Sequence, residues 1–173
     1  MKTSARLFVA AQLPQNIINE INVAASNIQP HVRGSFSPPQ NYHITLAFLG
    51  DMPLSLVDDI KHAIATGSGM LPIRVRLDGL GSFGKPANAI LWAGVTPTAP
   101  VIALGNAVRT QLDALGMRYD PKPVRPHITI ARKADVTGVD LNTFAPQPLH
   151  FTIDRVTLFM SHRVNGILTY TPL

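Results

Sequence analysis

Two hydrophobic periods alternate along this chain, and the switches between them mark its elements. Arg6-Leu-Phe-Val-Ala-Ala-Gln-Leu-Pro14 is an apolar run closed by proline, the pattern of a buried strand. Ile17, Ile18, Ile21, Ala24, Ala25 and Ile28 then recur at the spacing of one helix face. A second helical segment spans 54–66, with Leu56, Ile60, Ala63 and Ile64 on one side, and Gly67-Ser-Gly-Met closes it. Ile73-Arg-Val-Arg-Leu-Asp alternates strictly, as a half-exposed strand does. Phe83-Gly-Lys-Pro reads as a turn into a strand over 89–95. Val101, Leu104, Val108, Leu112 and Leu115 return to helical spacing. After a loop-rich stretch over 135–148, Phe151 to Met160 alternates as one strand. Asn165-Gly166 is a hairpin turn into a last strand over 167–171. Several alternating strands and few long helices predict an α+β fold with antiparallel sheets.

One string occurs twice. His-Ile-Thr-Leu-Ala at 43–47 returns as His-Ile-Thr-Ile-Ala at 127–131. The bare triplet H-x-T is weak evidence, because His150-Phe-Thr is a third copy. The surroundings carry more weight. Arg6–Pro14 has a counterpart in the apolar run Ala89–Pro97, and a helical segment and a proline-containing loop follow each run before its H-x-T strand. Strand, helix, loop and H-x-T strand thus appear twice. This predicts a duplicated half-domain with His43 and His127 as mates, and His150 falls outside it.

On a strand, residues two apart share a face. His43 therefore projects beside Thr45 and His127 beside Thr129, with the intervening aliphatics in the core. Two imidazoles and two hydroxyls suit acid–base work on a phosphodiester. Five cations, Arg118, Lys122, Arg125, Arg132 and Lys133, bracket the second motif and suit an anionic ligand. Other chemistries fit less well. A metal site lacks further ligands on the same strand faces, and a Ser-His-Asp arrangement lacks its nucleophile elbow. Two structural histidines, each satisfied by the threonine two residues on, remain an alternative.

Composition narrows the class. The chain has 173 residues, 46% of them hydrophobic, enough for one core-bearing domain spanning 1–173. With no cysteine it has neither disulfides nor thiolate ligands. Net charge is +5 with only 14% charged residues, a modestly basic surface without an arginine-rich arm. No long apolar run and no signal-peptide pattern occur, so a cytoplasmic protein is expected, and nothing demands more than a monomer.

Arg6-Leu-Phe-Val-Ala, His43 to Gly50, Arg125-Pro-His-Ile-Thr-Ile-Ala-Arg132 and the tail Tyr170-Thr-Pro-Leu173 together resemble the 2H phosphoesterase superfamily. Within it the chain is similar to the RNA 2′,3′-cyclic phosphodiesterases, also called 2′-5′ RNA ligases of the LigT/ThpR type. The resemblance implies a bilobal duplicated fold, two antiparallel sheets flanking a cleft with helices outside. It implies hydrolysis of RNA or nucleoside 2′,3′-cyclic phosphates to a 2′-phosphomonoester, with reversible 2′-5′ ligation and with neither metal nor other cofactor. His43 would be the proton donor, His127 the proton acceptor, and Thr45 and Thr129 hydrogen-bond donors to the phosphate. Another cyclic or 2′-5′ phosphodiester, such as ADP-ribose cyclic phosphate, and non-catalytic binding of RNA ends are the alternatives. Arg125 shares the His127 face and is a phosphate neighbour. Arg132 and Phe48 are substrate-binding candidates, Phe48 by stacking on a base. On unbroken strands, however, parity turns both side chains away from the His/Thr face.

Overall fold

The computed structural model describes residues 3–173. Its elements run β1 (Ser4–Ala11), α1 (Gln15–Ile28), β2 (Arg33–Phe36), β3 (Ile44–Pro53), α2 (Val57–Gly67), β4 (Ile73–Lys85), β5 (Asn88–Thr96) and α3 (Ala99–Ala114). Then come β6 (Ile128–Asp135), β7 (His150–Ile153), β8 (Val156–Val164) and β9 (Ile167–Pro172). Every strand pair is antiparallel. The order β7-β4-β5-β6-β3-β1-β8-β9 places the two H-x-T strands at the centre. From that centre outward, β6, β5, β4, β7 on one side match β3, β1, β8, β9 on the other. β3 and β6 themselves share one pair, Ile44 opposite Ile128, the middle residue of each H-x-T triplet. The two strand sets are thus joined by a single ladder pair, while β2 of the first half pairs with β6 of the second.

The helices cross between the halves. α1 follows β1, yet Ile17, Ile21, Ala25 and Ile28 join a core with Ile73, Val75, Leu91 and Ile130 of the other sheet. α3 follows β5 and serves both cores, Val101 and Leu104 in that one, Val108 and Leu112 in the core of Leu7, Val9 and Leu158. α2 adds Ile60, Ala63 and Ile64 to the second core, and each core takes at least one helix that follows a strand of the other sheet. The expected α+β arrangement, helices outside two antiparallel sheets, is the one this chain adopts.

Two local expectations need correction. Phe83-Gly-Lys is not a turn: β4 runs on to Lys85, and the turn falls at Pro86-Ala87. The alternating stretch Phe151–Met160 is two strands, not one. β7 pairs with β4 and β8 with β1, so the chain changes sheets at Asp154-Arg155. Alternation continues across the break because both strands have one buried face. β2, without a hydrophobic pattern of its own, is held by pairing with β6.

α2 lies against α3 closely enough that a Cβ on Gly67 would stand 2.7 Å from Val108 Cα and 2.9 Å from its nitrogen. Backbone cannot yield as a side-chain tip can. Gly67→Ala should therefore destabilise by about 1–3 kcal/mol, read as a lower midpoint in thermal or urea unfolding. Gly69→Ala, whose Cβ meets nothing closer than 3.9 Å, serves as the control. Equal midpoints for the two variants would show that α2 and α3 are not in this contact.

Candidate active site

Each histidine is anchored in the same way. His43 Nδ1–H donates to the carbonyl of Asn41 at 2.6 Å, and His127 Nδ1–H donates to that of Arg125 at 2.5 Å. A carbonyl only accepts, so the proton sits on Nδ1 and Nε2 is the free basic nitrogen in both neutral rings. Asn41 is itself fixed: it is buried, and its amide donates to the carbonyl of Leu168 on β9 at 2.9 Å. Aromatic rings hold the imidazoles from the side. His43 packs on Phe8 at 4.9 Å and edge-on to Tyr170 at 5.3 Å, and His127 lies edge-on to Phe83 at 4.9 Å.

The hydroxyls differ. Thr45 Oγ1 is 2.9 Å from His43 Nε2 and donates to it while the ring is neutral. Thr129 lines a cavity of about 400 Å³ together with His43, Arg132, Ser35 and Tyr170. His150, exposed at the start of edge strand β7, is not part of it.

Arg132 and Phe48 correct the parity argument. In β3, Val9 faces Ala47 and Ala10 faces Thr45, so Leu46 is an extra residue. In β6, Leu91 faces Ala131 and Trp92 faces Thr129, so Ile130 is an extra residue. These one-residue bulges fall at the same place in both motifs, three past the histidine. Each puts two consecutive residues in the core, Leu46 with Ala47 and Ile130 with Ala131. Alternation then resumes in the opposite phase. Phe48 and Arg132, each five past its histidine, emerge on the His/Thr side. Phe48 is half-buried there beneath the Arg6 guanidinium, 4.8 Å from the ring centroid. Arg132 acts on both imidazoles.

The basic bracket does not stay together. Arg125 lies 5.3 Å from the Phe83 ring, on the His127 side. Lys133 joins the cavity wall. Lys122 instead pairs with Asp120 at 3.8 Å in solvent, and Arg118 lines a different hollow beside Met52. Residues that the motif alone did not single out fill the gap: Arg6, Phe8, Asn41, Phe83, Trp92 and Tyr170. Arg6 and Tyr170 stand in the two terminal segments that carried the family resemblance, so that signal was present without a role attached.

Burial and charge push both imidazoles the same way. Desolvation, opposed by the Asn41 carbonyl and reinforced by His127 and Arg132, lowers His43 to about 4. Desolvation, then Arg132 and Arg125, lowers His127 against the pull of the Arg125 carbonyl. Desolvation is the first cause in both cases, and the arginines add to it.

The 2′-5′ RNA ligase superfamily model matches residues 13–165. The chain belongs to this superfamily. Relatives agree with the assignment. The RNA 2′,3′-cyclic phosphodiesterase of Escherichia coli is 29% identical over 177 residues, covering 100% of this chain and 96% of that protein. That of Geobacillus stearothermophilus is 42% identical over 96 residues, which are 54% of this chain but only 31% of its own length. Among solved structures, Escherichia coli LigT complexed with 3′-AMP superposes with a TM-score of 0.79 at 28% identity, covering 98% of this chain and 95% of that one. A protein of Thermus thermophilus superposes at 0.77 with 26% identity, covering 97% and 94%. Members of the 2′-5′ RNA ligase superfamily thus share this fold over nearly the whole chain.

The lowered imidazole pKa values carry a sign. Between about pH 4 and the ordinary histidine value of about 6.5, an unfolded chain binds the proton that folded His43 refuses. Stability must then fall as pH drops through that window. Urea midpoints at pH 7 and pH 4.5 should differ accordingly, and His43→Gln should remove part of the difference. Inorganic phosphate should raise the His43 midpoint seen by NMR, because an anion favours imidazolium. A His43 midpoint at the ordinary value in phosphate-free buffer would refute this account of the site.

Proposed function

We propose that this chain hydrolyses the 2′,3′-cyclic phosphate at RNA or nucleoside ends to a 2′-phosphomonoester, using two histidines as acid and base. The observation that carries the reading is the pair of carbonyl-anchored imidazoles, presented from matched bulged strands with Arg132 acting on both. The superfamily and the cyclic phosphodiesterases among its relatives support the substrate class. Complexes of Escherichia coli LigT with 3′-AMP and with phosphate support a phosphate-bearing ligand. Among the described residues, no three His, Cys, Asp or Glu side chains gather to hold a metal ion. The reading assigns proton transfer to the two carbonyl-anchored imidazoles.

Attack on phosphorus is in line, so nucleophile and leaving oxygen lie on opposite faces of the phosphate. His127 Nε2 takes a proton from water as the new P–O bond forms. His43 Nε2 gives a proton to the ribose 3′-oxygen as the old bond breaks. His43 must be charged to do this, yet it is lowered to about 4 by burial and by neighbouring cations. The substrate supplies the correction: an anionic phosphate offsets Arg132 and favours the imidazolium. The acid is thus made on binding, as His43 takes up one proton from solvent. Thr129 and Thr45 donate to non-bridging oxygens, Thr45 after releasing His43. Arg132 and Arg125 hold charge on the phosphate, and Phe48, backed by Arg6, offers a ring to a base. With the 5′-hydroxyl of a second strand in place of water, the same proton transfers make a 2′-5′ linkage. The chain works as one domain of two pseudo-symmetric lobes spanning 1–173, as a monomer in the cytoplasm. No helix among the described residues is long and apolar enough to cross a membrane.

His43→Ala and His127→Ala should each slow turnover of a nucleoside 2′,3′-cyclic phosphate by about 10²–10⁴-fold, while His150→Ala should leave it unchanged. Activity should survive EDTA. Loss of activity in EDTA with recovery on adding zinc, or full activity in both histidine variants, would falsify the mechanism. Binding of cyclic phosphate without turnover would leave an RNA-end-binding protein.

The pH profile separates binding-made acid from a standing one. The kcat profile reports groups in the complex, and kcat/KM those of the free protein. The alkaline limb of kcat should therefore lie well above the free His43 value of about 4. Thr129→Ala should cost about 1.5–3 kcal/mol in kcat/KM, the worth of a hydrogen bond to a charged group, with Thr129→Ser retaining most of the activity. A Thr129→Ser variant as impaired as Thr129→Ala would remove the hydroxyl from the phosphate.

A further inference from the structure

A second hollow of about 580 Å³ adjoins the site and is lined by Ser4, Arg6, Asp51, Ser161, His162 and Arg163. Arg163 also lines the first cavity, so it stands on the wall between them. Arg6 connects the two in a second way. It lies over Phe48 on one side, and on the other it opposes, with Arg132, the upward push that burial exerts on the Tyr170 phenol. The cations Arg132, Arg6 and Arg163 therefore follow one path out of the cleft, past Tyr170 and along β1 and β8.

We propose that Arg6 and Arg163, with the Ser161 hydroxyl, form a subsite for the phosphodiester that joins a terminal nucleotide to the rest of its RNA strand. The inference rests on the reading of the first cavity as the cyclic-phosphate site. Arg163, shared by the two cavities, would let one strand place its cyclic phosphate in the first and the preceding phosphodiester in the second. The lining suits it. Arg163 spends one N–H on the carbonyl of Gly166 at 2.7 Å, which steadies it across its own hairpin and, among the described residues, leaves its other guanidinium donors for a ligand. His162 Nε2 meets Thr171 Oγ1 at 2.7 Å, so its ring is held in place. Ser4 and Ser161 add hydroxyl donors, and Asp51 is the one carboxylate in the lining. A free cyclic mononucleotide has one phosphate and cannot use this subsite. An oligonucleotide can, so the enzyme favours strand ends over nucleosides.

The test compares adenosine 2′,3′-cyclic phosphate with a trinucleotide ending in the same group. At low salt the trinucleotide should show a KM at least tenfold lower. Its log kcat/KM should also fall more steeply with log salt, by about 0.7 for each added contact to a single strand. Arg163→Ala should remove that advantage, and Arg163→Lys should restore part of it, which distinguishes lost charge from a damaged hairpin. Equal KM values for the two substrates, or an Arg163→Ala effect of the same size on both, would overturn the proposal. If neither substrate is turned over, the catalytic reading has failed and calorimetry decides the subsite. A trinucleotide with a 3′-phosphate binding tenfold tighter than 3′-AMP supports it, and equal affinity sinks it.

Discussion

The meeting of β3 and β6 at Ile44 and Ile128 governs everything else in the molecule. A single ladder pair joins the two sheets, and it lies between the histidine and the threonine of each motif. One step to either side of that pair the ladder between β3 and β6 ends. Ile44 and Ile128 are fully buried, so the joint is anchored by apolar burial and not by the polar groups that flank it.

The bulges at Leu46 and Ile130 extend the same logic. A regular strand would place its fifth residue past the histidine in the core. One inserted residue reverses the phase, and an arginine or a phenylalanine arrives at the ligand side without lengthening the strand. The insertion also feeds the core, because the consecutive buried pairs add apolar volume where the sheets meet. On β3, Leu46 joins one core cluster and Ala47 the other, so the bulge helps to tie the halves together.

Electrostatics follow from the packing. Aromatic rings from β1, β4 and β9 surround the imidazoles and remove water, which disfavours their charged forms. Backbone carbonyls two residues upstream oppose this and fix the tautomer. Arginines then add positive potential to a site that is already reluctant to charge. Burial and the neighbouring arginines therefore act in the same direction on both rings, against the imidazolium form.

The pattern of the chain was enough for much of this. The repeated His-Ile-Thr string, the matched apolar runs and the helical spacing that follows each of them identify the duplication, the antiparallel strands and the two histidine–threonine pairs, because period and side-chain type are local properties. The family resemblance then located the cyclic-phosphate chemistry. Other features are not local. The phase reversal that brings Arg132 and Phe48 to the cleft depends on which residues of β5 and β1 stand opposite, and parity read along a single strand gives the wrong face. The sheet change at Asp154-Arg155 is invisible to alternation, since both strands have one buried side. The division of the basic bracket, with Arg132 and Arg125 at the site and Lys122 and Arg118 elsewhere, is set by where the loops travel. Arg6, Phe8, Asn41, Phe83 and Tyr170 surround the histidines only after strands far apart in the chain have paired. Local periodicity decides what an element is, but register between elements decides what its side chains meet.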